Sequence, residues 1–210
     1  MQQRGKVSVL VLGSGALGSW LLDLLARQGY TRLTVLDFDR VERKNFGTQN
    51  FGKADIGRMK ATIAANNLVV RLGVPCKAIA EKLTASNARK ILNDGFGLVI
   101  DAFDNHESRE LVKETCAKLN IPCLHCGMSG DGFAEIEWNE NYTSRPAAPV
   151  LDASGEPCEY PLASNLVSFT VALAAEAVNS FVDNGVKRSV HFTLRDLYCH
   201  SWVRTSGKAR

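Results

Sequence analysis

The sequence has no apolar run approaching the roughly 20 residues that a membrane-crossing helix needs. Its start lacks the apolar h-region of a secretory signal, because MQQRGK leads straight into a strand pattern. These two gaps give the expectation of a cytoplasmic protein with no membrane partner. Internal repeats and low-complexity tracts are missing as well, so repeat architectures are set aside. Charge of one sign is also lacking. With 25 Lys and Arg against 22 Asp and Glu, the net charge of +3 gives little reason to expect a nucleic-acid partner. The six cysteines (76, 116, 123, 126, 158 and 199) are, in a reducing compartment, expected to be mostly free thiols. A chain of 210 residues buries roughly 70% of its unfolded surface and needs no disulfide or metal to complete a core.

What is present is a rhythm. Val7–Leu12 is a continuous apolar run, as in a strand covered on both faces. Ala16–Gln28 repeats leucine at helical spacing and stops at Gly29. Further strands are expected at Leu33–Leu36, Cys76–Ile79, Leu98–Ile100 and Ile121–Cys126, with helices at Gly57–Leu72, Ala85–Leu92 and Glu107–Leu119. Alternation of this kind implies an α/β fold with a Rossmann-like, doubly wound, mostly parallel sheet. After Gly127 the pattern changes. Phe133–Trp138 alternates with period two, 139–163 is proline-rich and aperiodic, Ser164–Val182 is a small-residue apolar helix, and Val190–Leu197 alternates again as the last strand. The expectation is one domain over 1–210. A nucleotide-binding half spans 1–127, and an antiparallel extension with a crossover loop at 139–163 spans 128–210.

Chemistry collects on the loops after the strands. Gly13-Ser14-Gly15-Ala16-Leu17-Gly18 between strand and helix is the form of a phosphate turn, with free N–H groups at the helix N-terminus aimed at an anion. Asp37 lies 19 residues past Gly18, where an acid would bond ribose hydroxyls. Up to this point a dinucleotide and ATP fit equally well. The stretch LDFDRVERKNFGTQNFGKADIGRMKA adds Asn45, Gln49 and Lys60, and a cation and amides of that kind serve a triphosphate better than a nicotinamide cofactor. In LVIDAFDNHESR, Asp104 is a candidate Mg²⁺ ligand, since a carboxylate beside polyphosphate needs a metal between them. Asp104 or Asn105 also stands where a cap for the following helix belongs. His106 and His125 are read as packing or surface residues.

Taken in order, G-x-G-x-x-G, D-x-D-x-V-x-x-x-N-x-x-x-Q, D-x-G-x-x-K and D-x-x-D-N-x-x-x-R resemble the adenylating domain of the ThiF, MoeB and HesA family, bacterial relatives of ubiquitin-activating enzymes. The resemblance covers 7–138 and continues more weakly through the helix at 164–182. It implies ATP and Mg²⁺ as cofactors and a homodimer as the assembly. It also implies a ubiquitin-like or sulfur-carrier protein with a Gly-Gly tail as the partner. By the same resemblance, Gly13, Gly15 and Gly18 form the phosphate turn, and Asp37 holds the ribose. Asn45, Gln49, Lys60 and Asn105 line the nucleotide site, and Asp104 holds Mg²⁺. Cys158 sits near the place where some members carry an acceptor thiol.

Three positions depart from the family pattern. Thr48 stands where an arginine is common, and the loss of one such charge is worth about 10²–10³ in rate. Arg4 is the candidate for the arginine that relatives bring from an N-terminal helix. Cys123 and Cys126 form the chain's C-x-x-C, but in a strand they point to opposite faces, which argues against zinc. Two other readings stay open: a nucleotide- or partner-binding module without adenylation, and an NAD-dependent oxidoreductase.

Overall fold

The computed structural model describes residues 3–143 and 163–203. Its strands are β1 (Ser8–Leu12), β2 (Arg32–Leu36), β3 (Cys76–Ile79), β4 (Leu98–Asp101), β5 (Cys123–Met128), β6 (Phe133–Trp138), β7 (Arg188–Thr193) and β8 (Tyr198–Val203). The helices are α1 (Ala16–Arg27), α2 (Lys60–Leu72), α3 (Ala88–Leu92), α4 (His106–Leu119) and α5 (Ala163–Asn184). All eight strands join one sheet in the order β3-β2-β1-β4-β5-β6-β7-β8. The pairs from β3 to β5 are parallel, and β5–β6, β6–β7 and β7–β8 are antiparallel.

The continuous apolar strands are explained by helices on both faces. Val9, Val11, Val35, Ile100 and Leu124 meet α1, α2 and α5 on one side, while Leu10, Leu12, Leu36, Val99 and Cys123 meet α3 and α4 on the other. In β6 and β7 the alternation has the same cause. Ala134, Ile136, Trp138, Val190 and Phe192 are buried, and Glu135, Glu137 and His191 between them are only partly covered. Both the parallel half and the antiparallel extension stand as the sequence implied.

Four details differ. The second long helix opens at Lys60 and not at Gly57, whose φ of 80° places it in the preceding turn. The third is shorter than Ala85–Leu92 and starts after Asn87. The alternation at Val190–Leu197 covers β7 and the turn after it, and Tyr198–Val203 adds an exposed edge strand that the sequence reading lacked. Finally, Ser164–Asn184 is long and apolar enough to cross a membrane, with mean hydropathy 1.4, contrary to the expectation that no segment approaches that length. Half of that window is buried inside the fold, where Val167, Val171, Ala174, Ala175 and Val178 pack into the core shared with α1 and the sheet.

Candidate functional site

The C-terminal ends of β1, β2 and β4 are neighbours in the sheet, and the loops leaving them meet around the glycine turn. Gly13 has φ 87°, and a Cβ there would lie 2.9 Å from the carbonyl oxygen of Ala102. Gly18 packs the helix onto the turn so closely that a Cβ would fall 1.8 Å from Gly13 O. At Gly15, by contrast, a Cβ would meet nothing within 4 Å, so the middle of the turn faces open space at the N-terminus of α1. An anion approaching there meets unpaired helix N–H groups.

Asp37 closes the turn from the side. Its Oδ2 accepts from Ser14 N at 2.6 Å and its Oδ1 from Asp39 N at 2.8 Å, and the residue is buried. Burial pushes its carboxyl above the usual carboxylate range, against the two amide bonds and the nearby Lys60 charge. Each oxygen keeps a further acceptor site for a ribose hydroxyl. Lys60 is the first residue of α2, with its backbone N bonded to Asp39 O at 2.9 Å and its Nζ donating to Asp39 Oδ2 at 3.1 Å. A lysine at a helix N-terminus works against the helix dipole. Its buried stem carries the ammonium to the exposed Asp39 carboxylate, beside the turn.

The segment between them folds back against α1. Asn45 spends its Oδ1 on Glu42 N at 2.7 Å, which shapes the 3-10 turn Arg43–Gly47. Trp20 Nε1 donates to Thr48 O at 2.8 Å, and Ser19 Oγ accepts from Asn50 N at 3.0 Å, so 48–50 is fastened to the first turns of α1. Within this frame the buried atoms Ser14 Oγ, Thr48 Oγ1 and Gln49 Oε1 have no hydrogen-bond partner among the described residues, and neither has Asn67 Nδ2 on α2. Buried polar atoms are rarely left so, and three of these four lie on the turn or on the strip fastened beside it.

Beyond β4, the loop 101–105 is tied down on both sides of Asp104. Asp101 Oδ1 accepts from Phe103 N at 3.0 Å, Phe103 O accepts from Arg109 Nε at 2.6 Å, and Asn105 caps α4 by accepting from Ser108 N at 2.9 Å. Asn105 therefore serves as the cap, and Asp104 is the exposed carboxylate left facing outward. Among the described residues no group of three or more His, Cys, Asp or Glu could hold a metal ion. The Asp104 carboxylate by itself offers hard oxygen donors, the ligand type that a cation such as Mg²⁺ takes alongside water and other oxygens.

Several residues are placed elsewhere. Arg4 lies at the opposite, N-terminal end of the strands, where Nε bonds Asp183 Oδ2 at 3.1 Å, so it does not reach this chain's own site. A cavity of about 560 Å³ at that same end, lined by Lys6, Arg32, Gly97 and Phe181 among others, touches none of the expected site residues. Cys123 and Cys126 do point into opposite cores, and burial pushes the Cys126 thiol up to about 12. His106 is exposed, whereas His125 is fully buried with both ring nitrogens engaged. Cys158, and most of 139–163, lie outside the described residues. Sequence reasoning missed Ser14 and Tyr142 and gave Arg109 no role. For Arg109 the signal was present, as the last letter of D-x-x-D-N-x-x-x-R.

Comparison with known proteins gives the family and the fold. The family model described as ThiF family matches residues 1–148. A sulfur carrier protein adenylyltransferase of Thermus thermophilus is 36% identical over 121 residues, 57% of this chain and 44% of that one. The adenylyltransferase and sulfurtransferase MOCS3 of Drosophila yakuba is 32% identical over 190 residues, 89% of this chain and 37% of that one. The crystal structure of E. coli MccB with AMPCPP and MccA aligns with TM-score 0.79 at 17% identity, over 99% of this chain and 66% of that chain, a likeness of fold alone. The chain spans less than half the length of either curated relative.

Proposed function

The chain belongs to the ThiF family, and on that premise we propose that it adenylates a carboxylate with ATP. The substrate is the C-terminal carboxylate of a ubiquitin-like or sulfur-carrier protein, the class named in the Thermus relative. One carboxylate oxygen forms a bond to the α-phosphorus, the bond from that phosphorus to the bridging oxygen breaks, and pyrophosphate leaves with the electron pair. No general base is required, because the nucleophile is already ionised. The protein's task is alignment and charge neutralisation.

One observation carries this reading: Ser14 Oγ, Thr48 Oγ1 and Gln49 Oε1 are buried and unpartnered around an open glycine turn. Two hydroxyl donors and an amide suit phosphate oxygens and a ribose hydroxyl. Lys60 exchanges its single carboxylate partner for phosphate charge, and Asp37 receives the ribose. Asp104 would hold Mg²⁺, which when bound neutralises phosphate charge. The homodimer, and a later transfer to the Cys158 thiol, belong to the same proposal. A nicotinamide reading leaves Gln49, Lys60 and Asp104 without a role. A binding-only module remains as the second reading, favoured by Thr48, which supplies a hydroxyl where the family pattern has a guanidinium.

The test is exchange of radiolabelled pyrophosphate into ATP, with Mg²⁺ and with a purified candidate partner ending in Gly-Gly. Partner-dependent exchange is expected, and Lys60→Ala lowers it by about 10²-fold or more. ATP binding without exchange across the Gly-Gly proteins of the source organism would leave the binding module in its place.

A further inference from the structure

A densely bonded polar cluster beneath the loop after β4 has no part in the function proposed above. Asp101 and His125 are register partners on the adjacent strands β4 and β5, and both side chains are fully buried. His125 Nδ1 lies 2.8 Å from Asp101 Oδ2, and its Nε2 lies 2.7 Å from Asn139 Oδ1. Asn139 Nδ2 donates to Lys113 O at 3.2 Å, which fixes the amide with its oxygen toward the ring. One imidazole therefore lies between two oxygens, and each ring nitrogen is engaged. Tyr142 covers it, with ring centroids 3.9 Å apart and planes 9° from parallel. Tyr142 OH in turn accepts from Arg109 Nη1 at 2.9 Å, while Arg109 also donates to Phe103 O and Cys126 O.

This cluster joins two pieces of chain that the sequence keeps far apart. On one side is the loop 101–105, held through Asp101 and through Phe103. On the other are Asn139 and Tyr142, the first residues after β6. Asp104 stands between Phe103, held by Arg109, and Asn105, which caps α4, so its position follows from theirs. An apolar contact of the same volume would fill the space but would not fix a carboxylate and a carbonyl in one arrangement.

We propose that His125, bonded between Asp101 and Asn139 and stacked on Tyr142, is the positioning residue for the loop that carries Asp104, and that it sets how strongly Mg²⁺ tightens ATP binding. This rests on the reading of Asp104 as the carboxylate that meets Mg²⁺ carried with ATP.

The experiment is calorimetric titration of the full chain with ATP, once with Mg²⁺ and once with EDTA, taking the ratio of the two dissociation constants. In the wild type, Mg²⁺ is expected to tighten binding by about tenfold, and Asp104→Ala removes that gain. His125→Phe keeps a ring on Tyr142 but loses both hydrogen bonds. It is expected to bring the ratio down to within about twofold of Asp104→Ala while the EDTA value moves by no more than about twofold. If His125→Phe does not fold, Tyr142→Phe keeps the stack, removes only the hydroxyl beside Arg109, and lowers the ratio by about two- to threefold. A wild-type ratio in a folded His125→Phe, or in Tyr142→Phe when the former does not fold, overturns the proposal, and so does a wild type with no Mg²⁺ gain. Pyrophosphate exchange is not the readout. A chain that binds MgATP and adenylates nothing would sink the function proposed above and leave this inference standing.

Discussion

At the end of β2, Asp37 turns one oxygen onto the amide of Asp39. At the end of β4, Asp101 turns one oxygen onto the amide of Phe103. Each strand end carries a second acid that stands exposed, Asp39 in one loop and Asp104 in the other. The inner carboxylate shapes the loop and the outer one is left to meet a charge. The two ends differ in what compensates the buried charge. Asp37 has a second backbone amide, from Ser14, with Lys60 acting only at a distance. Asp101 has the His125 ring, and its charge is felt by the buried Arg109. Burial works against that guanidinium, yet Asp101, Tyr142 and Glu135 hold its pKa above the ordinary value. A carboxylate met by neutral dipoles leaves only open hydrogen bonds when removed. One that also offsets a nearby buried guanidinium leaves that charge less compensated.

The largest effect follows from that difference. Asp101→Ala leaves the buried His125 ring nitrogen and the Phe103 amide without their acceptor, and two such losses come to roughly 3–5 kcal/mol. For a chain of this length that lowers the melting temperature by roughly 6–20 °C at about 2–4 °C per kcal/mol. Asp37→Asn keeps one acceptor and loses less, about 1 kcal/mol. Thermal unfolding of the two variants side by side checks the ordering. Equal losses would mean that the two acids are compensated alike.

How much of this was legible beforehand follows the same division. The sequence showed both acid pairs, because residues spaced D-x-D and D-x-x-D after apolar runs mark strand ends. It also showed the parallel half, because strands covered on two faces read as unbroken Val, Leu and Ile. It did not show which acid of each pair turns inward, since that depends on partners 23 and 24 residues away at Ser14 and His125. His125 looked like a packing residue and is buried as one, yet its two hydrogen bonds need β4 and β5 in register and the return of the chain at Asn139. β8 escaped for another reason. Tyr198–Val203 is mostly exposed, so no core-facing period marks it.

The next comparison sharpens with pH. Burial raises the Asp37 carboxyl, so the folded state holds its proton to higher pH than the unfolded chain does. That contribution to stability is complete below the ordinary carboxyl range and is lost as pH rises through the folded value. Asp37→Asn cannot titrate. Its melting temperature relative to wild type should therefore rise between pH 4 and pH 7, whatever the offset at pH 4. Parallel curves would mean that the two amide bonds cancel the burial of Asp37, and the contrast with Asp101 would then rest on geometry alone.

The smallest effect bears on what the β2 end is kept for. Thr48 Oγ1 is buried without a partner on a strip fastened to α1, and a hydroxyl left so in the free protein contributes nothing to folding. Thr48→Val is expected to leave the free protein as stable as before, or to stabilise it by up to about 1 kcal/mol. It is also expected to weaken ATP binding roughly fivefold, the worth of one hydrogen bond of about 1 kcal/mol. Melting without nucleotide and titration with ATP read the two sides separately. Stability gained with affinity lost identifies a donor reserved for the ligand. If affinity is unchanged, Thr48 is a buried strain that α1 tolerates, and the β2 end recognises nucleotide through Ser14, Gln49 and Lys60.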